Sequence, residues 1–116
     1  MRKLSLGYER SSADGEVVCF SKDKEGTLKI VFKTWDEKTL EIFFSDTIRF
    51  LDNNMYDISD IVQIEESIFL AEGLQMMYDV IPEKIPYKHY QFLNIDGDPT
   101  LEIIATDMRI KDVGDK

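Results

Sequence analysis

The stretch Thr27-Leu28-Lys29-Ile30-Val31-Phe32-Lys33-Thr34-Trp35-Asp36-Glu37-Lys38-Thr39-Leu40-Glu41-Ile42-Phe43-Phe44 decides the fold class. Leu28, Ile30 and Phe32 recur at every second position with Lys29, Val31 and Lys33 between them, the period of a half-buried strand. Trp35-Asp36-Glu37-Lys38 is a short polar turn, and Thr39 to Phe44 resumes as the partner strand. So short a connection makes the pair antiparallel, because a parallel crossover needs a dozen or more residues.

Outward from this hairpin, Glu16 to Ser21 is apolar and β-branched, and Lys22-Asp23-Lys24-Glu25-Gly26 turns the chain into it. On the other side, Ser45-Asp46 reads as a tight turn into Thr47-Ile48-Arg49-Phe50-Leu51. The result is a meander of three or four strands over about 16–51. Lys3 to Tyr8 alternates weakly and is a candidate edge strand, and Ser11 to Gly15 is a loop. Beyond Asp52-Asn53-Asn54 the pattern breaks. Two readings of residues 56–64 stand open: Asp57 capping a helical turn, or Ile61-Val62-Gln63-Ile64 as a short strand.

From Ser67 the period lengthens. Ile68, Ala71, Leu74, Met77 and Tyr78, joined by Leu70, fall near one face of a helix over about 66–79, with Ser67 as its N-cap. Glu65 and Glu66 sit where the helix dipole favours anions. Gly73 weakens the middle by about 1 kcal/mol relative to Ala. After a loop bracketed by Pro82 and Pro86, a hairpin spans about 87–106. It turns at Asp96-Gly97, and Pro99 opens the return strand. Residues 112–116 read as a frayed tail. The expectation is one α+β domain over 1–116, its antiparallel meander and C-terminal hairpin forming one sheet or sandwich with a single packed helix.

Composition excludes several classes. With 43% apolar and 32% charged residues in 116, the chain is neither disordered nor membrane-embedded. No apolar run approaches the ~20 residues of a membrane helix, and Met1 to Gly7 lacks the apolar stretch of a signal peptide, so a cytoplasmic location is expected. The net charge of −9, with basic residues scattered, disfavours nucleic acid and anionic membranes while leaving a basic protein partner open. The single cysteine, Cys19, excludes an internal disulfide and reads as a buried strand thiol.

Chemical motifs are sparse. Asn94 to Thr100 carries alternating oxygen side chains like the opening of a calcium loop. Counted from Asn94, however, Pro99 and Ala105 stand where that loop needs Gly and a bidentate Glu, so a hairpin turn is the better account. His89, the only histidine, is expected beside Tyr87 and Gln91 on the wetter strand face. No Gly-x-Ser-x-Gly surrounds any serine, and the glycines form no phosphate loop. No catalytic residue, metal ligand or cofactor is therefore assigned. Phe20, Phe32, Phe43, Phe44, Phe50, Phe69 and Phe92 read as core and Met76-Met77 as helix packing. Trp35, in a polar turn, either anchors a partner or folds over the sheet edge.

Charge is the remaining handle. Residues 1–58 hold nine basic and eleven acidic side chains, residues 59–116 five and twelve. From Asp52 to Glu83 there is no Lys or Arg. The candidate partner-binding set is Asp52, Asp57, Asp60, Glu65, Glu66 and Glu72, with Trp35. Edge strands of the meander also make a homodimer possible.

Glu66-Ser67-Ile68-Phe69-Leu70, Pro82, Tyr87 to Phe92 and Leu101 to Ala105 resemble small uncharacterised bacterial proteins of the kind that serve as immunity proteins in polymorphic toxin systems. The resemblance lies in the C-terminal half, mostly at core and turn positions. It implies an acidic single-domain inhibitor of a cognate toxin, often a basic nuclease, and it transfers no catalytic residues. The expected function is thus non-enzymatic binding of a basic partner. The alternatives are a small-molecule or regulatory domain with a pocket between sheet and helix, and a minor enzyme using acids in a cleft.

Overall fold

The computed structural model describes residues 2–3, 14–53, 57–65 and 67–114. In chain order these form β1 (Arg2–Lys3), β2 (Gly15–Lys22), β3 (Leu28–Lys33), β4 (Thr39–Ser45), β5 (Arg49–Asp52), β6 (Asp57–Ile58) and β7 (Asp60–Ile64). They continue with α1 (Ile68–Met77), β8 (Lys88–Leu93), β9 (Pro99–Ala105) and β10 (Asp107–Gly114). The strands make two antiparallel five-stranded sheets, ordered β1-β7-β8-β9-β5 and β10-β4-β3-β2-β6.

The alternation of β3 and β4 sets the inner face. Leu28, Ile30, Phe32, Leu40, Ile42 and Phe44 are buried and meet Ile61, Tyr90, Phe92, Leu101 and Ile103 from the other sheet. Aromatic rings stitch the layers: Phe44 lies 5.1 Å from Tyr90 and 6.2 Å from Phe92, and Phe32 lies 6.4 Å from Phe92, centroid to centroid. The architecture is therefore a sandwich, with meander and hairpin in opposite sheets. The chain changes sheet with a single residue between strands, Ser59 between β6 and β7 and Thr106 between β9 and β10.

Several expectations are corrected. The strand after Ser45 does not extend the meander: Asp46 turns at φ 49°, Thr47 N–H donates to Gly26 O, and β5 pairs with β9 in the other sheet. Of the two open readings of residues 56–64 the strand holds, as β6 and β7 on either side of Ser59, with residue 56 outside the described residues. The expected tail is partly strand, since Asp112 pairs with Leu40 and Gly114 with Thr39. Residues 115 and 116 lie outside the described residues, as does most of the expected strand 3–8. Cys19 is exposed, because a bulge between Val17 and Cys19 reverses the alternation of β2. Phe20 is 38% exposed and leans on Phe50 at the edge. Phe43 lies on the outer face beneath Arg109, 5.0 Å from the ring centroid.

α1 packs on the outer face of the first sheet through Leu70 and Leu74 against Ile104. Gly73 makes that approach possible, since a Cβ there would stand 2.6 Å from Ile104 Cδ1. The helix is thus turned onto its 70–73–74 stripe. Ile68, Met76 and Met77, expected inside, are 79%, 80% and 48% exposed. No described helix is long and apolar enough to cross a membrane.

Candidate docking groove

Three turns of the same build close hairpins in this protein. In each, the first residue donates its N–H to the fifth residue's carbonyl and accepts, at its own carbonyl, the N–H of the fourth. Asp23 begins one, with its carboxylate accepting from Glu25 and Thr27 N–H at 2.9 Å each. Asn94 begins another, its side-chain oxygen accepting from Asp96 and Asp98 N–H at 3.0 and 2.9 Å. Thr34 begins the third: its hydroxyl accepts from Lys38 N–H at 3.0 Å and lies 2.5 Å from Asp36 Oδ1. The fourth residue is left-handed in all three: Gly26 at φ 92°, Gly97 at φ 81° and Glu37 at φ 66°. Glycine carries no Cβ to clash there, whereas an L side chain costs about 1 kcal/mol. The third turn keeps a glutamate all the same.

That turn holds Trp35 out at 66% exposure, so the indole does not fold back over the sheet. Beside it lies an open groove of about 200 Å³ lined by Asp14, Gly15, Glu16, Lys33, Thr34, Trp35, Glu37 and Asp57. Strand register places Glu16 directly opposite Lys33 on one side and Asp57 on the other. Two exposed carboxylates facing each other across a strand pair repel. Lys33 Nζ sits 3.5 Å from Glu37. Among the described residues no cation comes within salt-bridge distance of Asp14, Glu16 or Asp57. The groove thus combines an exposed indole with four carboxylates and one ammonium group.

Of the candidate residues, the structure brings Trp35 and Asp57 together and disperses the rest. Asp52 ends β5, Asp60 opens β7, Glu65 is exposed beyond it, and Glu66 lies outside the described residues. Glu72 is already occupied by Arg49, 3.2 Å away. Exposed Glu72, Asp79 and Glu83 share the surface of α1 and the chain just after it with the exposed apolar side chains Ile68, Met76, Met77, Val80 and Ile81. Asp14, Glu16 and Glu37 were not singled out from the sequence. The signal for them is register, which puts Glu16 beside Lys33 once the β2–β3 hairpin is paired.

A second polar cluster lies beneath α1. His89 is buried, 1% exposed, and not on a wet face as expected, because the helix covers the outer side of β8. Its Nδ1 is 2.7 Å from Ser67 Oγ, which also accepts from Leu70 N–H at 3.0 Å as the helix cap. Ser67 Oγ and His89 Nδ1 thus share one hydrogen bond, its donor set by the imidazole tautomer. Nε2 is 3.2 Å from Glu102 Oε1, within ion-pair range but misaligned for a hydrogen bond. Glu102 Oε1 accepts instead from Gln91 at 2.7 Å. Phe69 stacks on the imidazole at 4.9 Å, and Arg49 Cζ lies over the Phe69 ring at 4.1 Å. Burial holds the His89 pKa below its ordinary value. Glu102 pulls it up, and Arg49 adds a smaller push down. The Ser67 hydroxyl is committed to cap and imidazole at once, so this cluster joins helix to sheet.

Among the described residues no three His, Cys, Asp or Glu side chains converge tightly enough to hold a metal. Compared with protein-family models, curated proteins and solved structures, the chain matches none.

Proposed function

We propose that this chain is a non-catalytic protein-binding domain that docks a basic partner at the Trp35 groove. The observation that carries this is the third turn, where Glu37 occupies a position that glycine fills in its two counterparts and flanks an indole left in solvent. A fold selected for stability alone would place Gly there and cover the tryptophan. Exposed Trp is a preferred anchor of protein interfaces, and the surrounding carboxylates favour a cationic surface and speed its approach. The resemblance to immunity proteins suggests the form this takes, inhibition of a basic toxin by surface complementarity.

The small-molecule reading has less support. The space between helix and sheet is filled by Leu70, Leu74, Ile104 and Phe69. The two grooves bordering β2 are open and measure about 200 and 250 Å³, below the ~300 Å³ of ordinary ligand sites. A photo-crosslinking amino acid at position 35 tests the proposal in the native cell, with the same group at exposed Ile95 as control. A discrete basic protein crosslinked at 35 and not at 95 is expected. Equal adducts at both positions, or none at 35, would overturn the reading.

A further inference from the structure

Resting on that reading, we propose that the group recognised by the Trp35 groove is an arginine side chain of the partner, in preference to lysine. The protein itself shows how its arginines are held. Arg49 Cζ lies over Phe69, 4.1 Å from the ring centroid, with Glu72 Oε1 3.2 Å from its Nη1 and the Phe69 carbonyl accepting at 3.0 Å. Arg109 Cζ likewise lies over an aromatic ring, Phe43, at 5.0 Å on the other sheet. The lysines of the described ion pairs, Lys29 and Lys33, reach a carboxylate at 3.4 and 3.5 Å.

The groove presents the receiving half of the Arg49 arrangement. Trp35 offers the largest and most electron-rich aromatic face of any side chain, and Glu16, Glu37 and Asp57 line the same groove. Lys33 supplies a point charge to Glu37 and leaves Asp14, Glu16 and Asp57 without a cation among the described residues. A planar guanidinium can stack on the indole and donate two parallel N–H bonds to a carboxylate at its edge. An ammonium, compact and strongly hydrated, can do only one of these well.

Trp35 is the only tryptophan, so its emission reports this groove and nothing else. The test titrates the full chain with hexa-arginine and, at equal charge and ionic strength, with hexa-lysine. Hexa-arginine is expected to quench and shift the emission, with an apparent affinity roughly threefold to fivefold tighter than hexa-lysine. Substituting Glu16→Gln and Asp57→Asn together should abolish the difference. Glu25→Gln with Asp107→Asn, at the ends of β3 and β4 away from the groove, should leave it intact, and circular dichroism verifies that both variants fold. Equal response to the two peptides would overturn the arginine assignment while leaving a basic docking groove standing. No change in emission with either peptide would overturn both.

Discussion

Glycine fills the left-handed position in two of the three matching turns, at Gly26 and Gly97, and Glu37 fills it in the third. Glu37→Gly should therefore stabilise the fold by about 1 kcal/mol, seen as a rise of a few degrees in Tm. The same change should weaken partner capture, since it removes a groove carboxylate. A variant that loses stability would show that Glu37 is held there by contacts rather than by function. His89 makes a prediction about pH. Its pKa is lowered in the folded protein, so below about pH 6.5 the unfolded chain binds more protons than the native one. Its contribution to stability is present in full above that pH and is lost as pH falls through the folded value. Urea midpoints between pH 7.5 and pH 5 should fall for the native chain and fall less steeply for His89→Gln. Parallel slopes would contradict the neutral, buried imidazole. Neither residue could be weighed from sequence: Glu37 needs its φ known, and His89 needs the helix placed over β8, a strand buried on both faces.

Among the elements, α1 was legible in position and cap but not in its facing. Its period fits two neighbouring stripes, and the one chosen is set by Gly73, whose missing side chain lets Ile104 in. Gly73→Ala gains about 1 kcal/mol of helix propensity but forces a methyl against a fully buried side chain, and overpacking of that kind costs about 1–3 kcal/mol. Net destabilisation is expected. In an Ile104→Val background, which removes the opposing Cδ1, the alanine should turn neutral or stabilising. Equal effects in both backgrounds would show that the contact does not govern the helix. Ser67→Ala should cost about 1 kcal/mol or somewhat more, because it removes the cap and leaves His89 Nδ1 unpaired. The β3–β4 hairpin was the clearest element in the sequence: the alternation of β3 matches burial residue for residue, while Phe43 of β4, read as core, lies on the outer face. β10 was missed although Met108 and Ile110 alternate with Arg109 and Lys111 and pack on the core, because the pattern spans only five residues before Asp112 breaks it.

For the molecule as a whole, the fold class and the antiparallel pairings next in sequence were readable, while the sheet each strand joins was not. β4 to β5, β6 to β7 and β9 to β10 all change sheet, and the single-residue corners at Ser59 and Thr106 leave no compositional mark. The same folding redistributes the acidic tract. Residues contiguous in sequence from Asp52 to Glu72 end on different edges, one of them neutralised by Arg49, and Asp57 instead joins Asp14, Glu16 and Glu37 from elsewhere. Two surfaces then compete as the docking site: the Trp35 groove, and the apolar outer side of α1 around Met76. Hydroxyl-radical footprinting of the chain with its captured partner separates them, since Trp35 and Met76 are both exposed and both oxidise readily. Partner binding is expected to protect Trp35 strongly and to leave Met76 oxidation unchanged. Protection of Met76 with Trp35 still open would contradict docking at the groove.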